Sequence, residues 1–200
     1  MKNNKFVSAK RATAVAALAL GLASNAQAGL IGVKSIEVSN AINEWLQVAE
    51  VVAINDLGVD VALASFGATA TAPDAWDPGS LPGKAIDGIT SGNWGAGQIF
   101  HEGTNFTKDT LTIVLPTVQE LVSIAIWGRT DCCSNRDIYN VVFRDAAGGV
   151  LHTVSGLDAR SSSHVGLAQL PDTSVPEPAS LALIGLGLLG MGAIRRRTRG

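Results

Sequence analysis

The 200-residue sequence has little charge, few aromatic residues and only two cysteines, and it lacks every common catalytic motif that we sought. It contains no Gly-x-Ser-x-Gly, His-Glu-x-x-His or phosphate-loop pattern, and no carboxylate pair whose spacing indicates a hydrolase. Internal repeats and long stretches with a 3.6-residue period are also missing. These absences make an enzyme the weakest of the possible function classes and predict few, short helices.

Basic residues are scarce in the body of the chain. Of the 15 lysines and arginines, four lie within residues 1–28 and four within residues 175–200, so residues 29–174 keep 7 basic against 16 acidic residues. Binding to phosphate groups requires lysine and arginine. The body, with a net charge of −9, is therefore not expected to have a nucleic-acid partner.

Residues 1–28 have the three parts of a secretory signal peptide. A basic segment from Met1 to Arg11 precedes an apolar run from Ala12 to Ala23, and Ala26-Gln27-Ala28 has the small-x-small pattern of a cleavage site. A short buried core helix is the alternative, but the position and the flanking residues favour a signal helix. We therefore expect Gly29 to be the first residue of the mature protein.

The C-terminal segment, residues 175–200, predicts a short transmembrane helix. Pro176, Glu177 and Pro178 precede an apolar run from Ala179 to Ile194, which ends at the arginine cluster 195–197. At ~1.5 Å per residue this run reaches about 24 Å, which is shorter than a hydrocarbon core of ~30 Å. The arginines would remain on the cytoplasmic side.

This order of Pro-Glu-Pro, short apolar helix and arginine cluster resembles the PEP-CTERM sorting signal. The resemblance implies recognition by an exosortase, cleavage near Pro176–Pro178 and transient anchoring in the inner membrane. It also implies a Gram-negative host that makes exopolysaccharide. The expected location is the cell envelope, the cell surface or the extracellular matrix.

Between the two ends, short strand-like stretches alternate with turn residues, which is typical of an all-β sandwich or jelly roll. Asp145 to Gly149 predicts a hairpin connection. We expect one domain over residues 29–160, and a polar, serine-rich linker over residues 161–174. The predicted strands are Val33–Val38, Leu46–Ile54, Asp60–Ala64, Thr110–Leu115, Leu121–Trp127, Asn140–Phe143 and Val150–Val154.

The two cysteines, Cys132 and Cys133, are adjacent. An exported protein meets an oxidising compartment, so a disulfide between them is plausible. A disulfide between adjacent residues closes almost no loop, so it restricts the unfolded chain little and adds little stability. A role in local shape or contact is therefore favoured over a role in stability. Two free buried thiols, or pairing between molecules, are the alternatives.

Residues around this pair have the spacing Arg129-x-Asp131-x4-Arg136, and His101 lies upstream with 27 residues between it and Arg129. The pattern resembles the fucose-binding motif of the F-type lectins, which are discoidin-like proteins with a galactose-binding-like jelly-roll β-sandwich. The separation from the histidine departs from the family pattern by one residue.

Other parts of the chain resemble the same family in an altered order. The family's closing strand pair is missing after Thr153, while the segments 33–38 and 43–51 resemble it at the front. We infer a circular permutation, which predicts that residues 33–54 pair with strands from the later part of the domain. The remaining matches are a first core strand at Asp60–Ala64 and Thr69–Thr71, a turn at Lys84–Gly88, and a hairpin at Asn140–Thr153.

The lectin resemblance implies a sugar site. His101, Arg129 and Arg136 would contact sugar hydroxyls, and Asp131 would orient an arginine. Trp94 occupies the position of an aromatic residue near the fucose methyl group, and the ring of Cys132 and Cys133 would offer the sugar an apolar edge. The alternative is that Arg129, Asp131 and Arg136 form a surface network of salt bridges.

The resemblance also implies a structural Ca²⁺ ion. Asp87 and Glu50 would be the carboxylate ligands, and backbone oxygens near Lys84, Ile89, Gln98 and Ala49 would complete the shell. Ile89 and Gln98 depart from the polar residues of the family, which a backbone ligand tolerates. Asp87 as a simple turn-forming residue is the alternative.

These patterns leave two main hypotheses for function. The first is an exported, non-catalytic, calcium-stabilised module that binds fucose-like or galactose-like sugars or exopolysaccharide. The second is a structural protein of the extracellular matrix or biofilm that uses the same sandwich without a working sugar site. In that case His101, Arg129 and Arg136 should fail to converge.

Overall fold

The computed structural model describes residues 29–103 and 109–173. The predicted signal peptide, the sorting motif and the predicted transmembrane helix lie outside these residues. Within the described part of the chain, no helix is long and apolar enough to cross a membrane.

The described residues are mostly β-sheet with a few 3-10 turns, which is consistent with an all-β sandwich. The 3-10 turns are Ala64–Phe66, Pro82–Ile86 and Ser134–Arg136. The strands are β1 (Leu30–Asn40), β2 (Gln47–Val48), β3 (Glu50–Asn55), β4 (Thr69–Thr71), β5 (Phe100–His101), β6 (Thr110–Trp127), β7 (Ile138–Arg144), β8 (Val150–Asp158) and β9 (Val165–Gln169).

The long strand β6 organises the sheet. Its first half pairs antiparallel with β1 and β4, and its second half pairs antiparallel with β3 and β9. Beyond β1 the sheet continues through β7 to β8, while β2 and β5 form a separate two-stranded ribbon. One strand therefore connects the two groups of strands that enclose the core.

Alternation of buried and exposed residues explains these strands. In β7 each second residue is buried, and Tyr139, Val141 and Phe143 are fully buried. Ile36 and Val38 on β1 are buried beside them and belong to the same core cluster. Side chains of a strand alternate between its faces, so one face of each strand supplies the core.

The prediction for the front of the chain is confirmed. Strand β1 pairs with both β6 and β7, for example Ile36 with Ile113 and Phe143, and β3 pairs with β6 from Glu50 to Asn55. The predicted hairpin is also confirmed, because the Asp145 amide donates to the Gly149 carbonyl at 2.9 Å between the antiparallel strands β7 and β8.

The predicted strand Asp60–Ala64 is wrong. Asp60 forms a single bridge with Ile54, and its carboxylate accepts hydrogen bonds from the amides of Ala53 and Ala62, both at 3.0 Å. A side chain that binds nearby amides in this way competes with strand pairing. Ala64 already begins a 3-10 turn.

Two strands predicted separately, Thr110–Leu115 and Leu121–Trp127, form the single strand β6. The register between β1 and β6 shifts in the segment between them, which contains Pro116. A proline cannot donate to a sheet ladder and is tolerated at such irregularities. The sequence signal for a break therefore marks a bulge.

The predicted end of the domain at residue 160 is wrong. Most of the linker predicted over residues 161–174 belongs to the domain. Strand β9 pairs with β6 from Val165 to Gln169, and Leu170 is buried in the core. This edge strand has only one fully buried residue, Gly166, so it lacks the alternating pattern that would have predicted it.

Candidate functional site

One pocket collects most of the predicted sugar-binding residues. It has a volume of about 350 Å³, within the range of small-molecule sites. It opens beyond the C-terminal ends of β1 and β6, where Asn40 donates a hydrogen bond to the Arg136 carbonyl at 2.7 Å. The lining residues are Trp45, Trp76, Trp94, His101, Arg129, Cys132 and Arg136.

Arg129 is held in one orientation. Its Nε and Nη2 atoms donate to the two carboxylate oxygens of Asp131 at 2.6 and 3.3 Å, and its Cζ lies 5.1 Å from the ring centroid of Trp94. The hydrogen bond from Arg129 lowers the pKa of Asp131. This two-point pair leaves Nη1 outside it, so a rigid cationic donor lines the pocket.

His101 presents an acceptor. Its Nδ1 atom lies 2.8 Å from the carbonyl oxygen of Glu102, and because a carbonyl only accepts, Nδ1 must carry the proton. Burial lowers the pKa of His101, and the charges of Arg129 and Arg136 lower it further. The ring is therefore neutral at pH 7, and its Nε2 atom carries a lone pair that can accept a hydrogen bond.

The positive charges of the pocket are offset by nearby carboxylates. Arg129 pairs with Asp131, and the Nε atom of Arg136 lies 3.6 Å from Glu44 Oε2. With His101 neutral, each arginine of the lining has a carboxylate nearby, and the charge of Asp77 also acts on His101. The inner surface of the pocket thus presents hydrogen-bond donors with little net charge.

Indole rings form the apolar walls. Trp45, Trp76 and His101 contact one another, with ring centroids 5.5 to 5.7 Å apart, and Trp76 is 44% exposed. Trp94 lies on a different side of the pocket, next to Arg129. Three of the four tryptophans of the chain therefore line this pocket.

Cys132 and Cys133 form the predicted disulfide, with Cα atoms 3.8 Å apart. Cys132 lines the pocket, and Cys133 has a positive φ of 61°. Within the described residues no cysteine is free. The ring places a sulfur-containing edge beside the arginines.

Asp137 anchors the loop that bears both arginines. It is fully buried, and its two carboxylate oxygens accept from Gln47 Nε2 and from the Arg129 amide, both at 2.8 Å. Gln47 Nε2 also donates to the Cys133 carbonyl at 2.9 Å. Burial raises the pKa of Asp137 to about 6, against the lowering effect of these hydrogen bonds.

Glycine is required where the loops approach one another. A Cβ atom at Gly128 would overlap the carboxylate of Asp137, and one at Gly92, whose φ is 65°, would overlap the Gly128 carbonyl. The Thr130 amide donates to the Gly92 carbonyl at 2.9 Å. These contacts bring the loop that bears Trp94 against the segment that bears Arg129.

Two predicted calcium ligands lie close together. Glu50 is fully buried, and its Oε2 accepts from the Gly88 amide at 3.0 Å. Its Oε1 has no hydrogen-bond partner among the described residues. Burial raises the pKa of Glu50 to about 7, and the neighbouring Asp87 and Asp60 carboxylates also raise it, while the Gly88 amide opposes them.

The other predicted ligands are less distinctive. Asp87 accepts from the Ile89 amide at 3.0 Å and lies 3.9 Å from Lys84 Nζ, while the Gln98 side chain accepts from Ser91 Oγ at 2.7 Å. Within residues 29–103 and 109–173, no three His, Cys, Asp or Glu side chains form a metal cluster. Ala49, also predicted as a backbone ligand, donates its amide to the Trp127 carbonyl at 2.8 Å.

Four residues of the site were not predicted from the sequence: Trp45, Trp76, Gln47 and Asp137. Gln47 and Asp137 lie 90 residues apart and meet only in the folded protein. Asp137 does follow the Arg129–Arg136 motif directly, so a buried acid beside the motif was the one signal available.

Comparison with known proteins gives a match at one end of the chain. No curated protein and no solved structure matches it. Residues 174–197 match the PEP-CTERM protein-sorting motif. The chain therefore carries a PEP-CTERM sorting motif, which implies export, sorting to the cell envelope and processing by an exosortase-type enzyme.

Proposed function

We propose that the protein is a non-catalytic carbohydrate-binding module delivered to the cell envelope or the extracellular matrix by its sorting motif. The sugar would be fucose-like or galactose-like, free or within an exopolysaccharide. The observation that supports this is the convergence of His101, Arg129 and Arg136 with three indoles on one pocket.

The chemistry of the pocket suits a sugar. A hydroxyl group both donates and accepts, so a site that offers Arg129 as a donor and His101 Nε2 as an acceptor can fix its direction. The C–H-rich face of a sugar packs well against an indole such as Trp76 or Trp94. A matrix protein without a sugar site would not need this combination.

The charge balance favours neutral sugars. Since Asp131 and Glu44 offset the two arginines, an added carboxylate on the ligand gains little attraction and approaches two anions. We expect neutral hexoses and deoxyhexoses to bind better than the corresponding uronic acids. Single sugar sites usually bind weakly, at about mM to µM, so crowding of tethered copies would raise the avidity.

We further propose a structural Ca²⁺ ion held by Glu50 and Asp87. The buried Oε1 of Glu50 has no hydrogen-bond partner among the residues that the structure describes, and this oxygen and the nearby carboxylate of Asp87 suit a hard cation. Backbone oxygens of Lys84, Ile89, Gln98 and Ala49 would supply further ligands. The ion would neutralise charge beneath the loops and would take no part in a reaction.

The decisive experiment replaces Arg129 by lysine in the exported, processed protein. Lysine keeps the charge but loses the planar fork of donors, so sugar affinity should fall about 10-fold to 100-fold. Glycan-array binding followed by titration with L-fucose and D-galactose measures this. Because three tryptophans line the pocket, quenching of intrinsic fluorescence gives an independent titration.

The matched control is Arg144→Lys, which makes the same change where Arg144 Nε pairs with Glu37 at 2.8 Å, away from the pocket. This control should bind like the wild type. The proposal fails if the wild type binds no glycan, or if Arg129→Lys and Arg144→Lys bind equally well. Far-UV circular dichroism shows that each variant is folded.

Trp76 provides a milder change. Its indole is 44% exposed but packs against Trp45 and His101, so Trp76→Ala should lower the melting temperature by about 2–8 °C, as a loss of about 1 kcal/mol does. Sugar affinity should fall roughly 3-fold to 10-fold, as expected for loss of one stacking ring. Phe66→Ala, at an aromatic side chain that is 57% exposed and does not line the pocket, is the control. Equal affinity of both variants would exclude a stacking role for Trp76.

A further inference from the structure

Gly29, the predicted first residue of the mature protein, is held in place by specific contacts. Gly29 is buried at the start of β1, and its backbone nitrogen donates to Glu120 Oε1 on β6 at 2.8 Å. In the uncleaved chain this nitrogen is a neutral amide. After cleavage between Ala28 and Gly29 it would be a primary amine.

The other end of the domain meets the same point. The Thr173 amide donates to the Gly29 carbonyl at 3.1 Å, and the Ile31 amide donates to Thr173 Oγ1 at 3.0 Å. Thr173 lies three residues before Pro176 of the sorting motif. The two segments that undergo processing therefore leave the domain side by side.

Only glycine fits at this position. A Cβ atom on residue 29 would overlap the Leu121 carbonyl group and lie 3.1 Å from a methyl group of Val122. The close approach brings the nitrogen of residue 29 within reach of Glu120.

We propose that this corner is a binding site for the α-ammonium group that signal-peptide removal creates. A signal peptidase hydrolyses the peptide bond between Ala28 and Gly29 with one water molecule, which leaves a carboxylate on Ala28 and an amine on Gly29. The amine takes up a proton, and its hydrogen bond to Glu120 becomes an ion pair. Maturation thereby turns a hydrogen bond between a neutral amide and a carboxylate into an ion pair, which the precursor lacks.

The surroundings favour a positive charge at this point. The other acidic residues on the segments that meet here are Asp172, beside Thr173, and Asp56, whose amide donates to the Glu120 carbonyl at 3.3 Å. Glu120 is half-buried, so screening by solvent is reduced but present. The ion pair ties β1 to β6 and holds the segment that leads to the sorting motif.

The corner is also remote from the sugar pocket. Gly29 precedes the first residue of β1, whereas Asn40, at the opposite end of this strand, binds the carbonyl of Arg136. An 11-residue strand at ~3.3 Å per residue separates the two by roughly 30 Å. Thr173, which contacts Gly29, therefore lies at the end of the domain opposite the pocket.

The test uses full-length protein exported through its own signal peptide, and intact mass establishes the mature start. The α-amino pKa is then measured by NMR after ¹³C reductive methylation. An unperturbed α-amino group titrates at about 7.7–8.0, and an adjacent carboxylate should raise this value by about one pH unit. Glu120→Gln keeps the hydrogen-bond acceptor but removes the charge, and should return the pKa to the ordinary range.

A second variant keeps Glu120 in place in case Glu120→Gln folds poorly. Insertion of one alanine between Ala28 and Gly29 moves the new amine away from Glu120 and leaves Gly29 with a neutral amide. Its α-amino pKa should also be ordinary. A mature chain that begins elsewhere, or a wild-type pKa equal to that of both variants, overturns the proposal. Neither result depends on sugar binding.

Discussion

Replacement of Asp137 by asparagine should lower the stability of the protein, although asparagine has nearly the same shape. Both carboxylate oxygens of Asp137 accept hydrogen bonds, one from Gln47 Nε2 and one from the Arg129 amide. Asparagine offers one oxygen and one NH₂ group. In either orientation, an NH₂ group faces a buried donor.

Each buried donor left without an acceptor costs about 1–3 kcal/mol. We therefore expect Asp137→Asn to lower the free energy of unfolding by roughly 2–4 kcal/mol at pH 7, and Asp137→Ala to do at least as much. The cost is offset in part because the carboxylate itself is expensive to bury, which is why its pKa is raised to about 6.

Urea denaturation followed by tryptophan fluorescence measures the loss. The matched control is Asp131→Asn, at a carboxylate that also binds Arg129 but whose side chain is 26% exposed. That variant should lose less than about 1 kcal/mol of stability, since exposed pairs contribute little. If Asp137→Asn is as stable as Asp131→Asn, the anchoring role of Asp137 is wrong.

The contrast between these two aspartates shows what the sequence could predict of the site. Arg129, Asp131 and Arg136 lie within eight residues, so a short motif reveals them. Gln47 and Asp137 lie 90 residues apart and meet only through a side-chain hydrogen bond in the folded protein, so their contact leaves no local pattern. Trp45 and Trp76 were missed for the same reason, because only the fold places them beside His101.

The predictions of the fold also succeeded for some elements and failed for others. Strands with clear alternation, such as β7, were predicted well, because one buried face determines the pattern. The edge strand β9 was missed, since Gly166 is its only fully buried residue. At Asp60 a local side-chain interaction with the backbone replaced the strand that the apolar run Val61–Ala64 indicated.

Without calcium, the protein should be several kcal/mol more stable near pH 5 than near pH 8. Glu50 and Glu102 are almost fully buried, and burial raises the pKa of each from 4.5 to about 7. Neither Oε1 of Glu50 nor the carboxylate oxygens of Glu102 have hydrogen-bond partners within the described residues. The charged forms of both groups are therefore poorly accommodated.

The direction in which the stability changes with pH follows from the direction of the two pKa shifts. A carboxyl group whose folded pKa lies above its unfolded pKa binds its proton more tightly in the folded state. Its stabilising effect is complete below about pH 4.5 and is lost as the pH rises through about 7. Between pH 5 and pH 8, a shift of this size changes the free energy of unfolding by about 2–3 kcal/mol for each group, which urea denaturation in EDTA measures.

Calcium should remove the part of this dependence that belongs to Glu50. An ion bound to Glu50 and Asp87 stabilises the charged carboxylates, and a ligand at 100 times its dissociation constant contributes about 2.7 kcal/mol. At pH 7.5, added Ca²⁺ should therefore raise the melting temperature of the wild type and of Glu102→Gln, but not that of Glu50→Gln. Glu102→Gln is the matched control, because it removes a similarly buried acid that is not among the proposed ligands. Equal calcium responses in both variants would place the ion elsewhere, and no response in the wild type would exclude it.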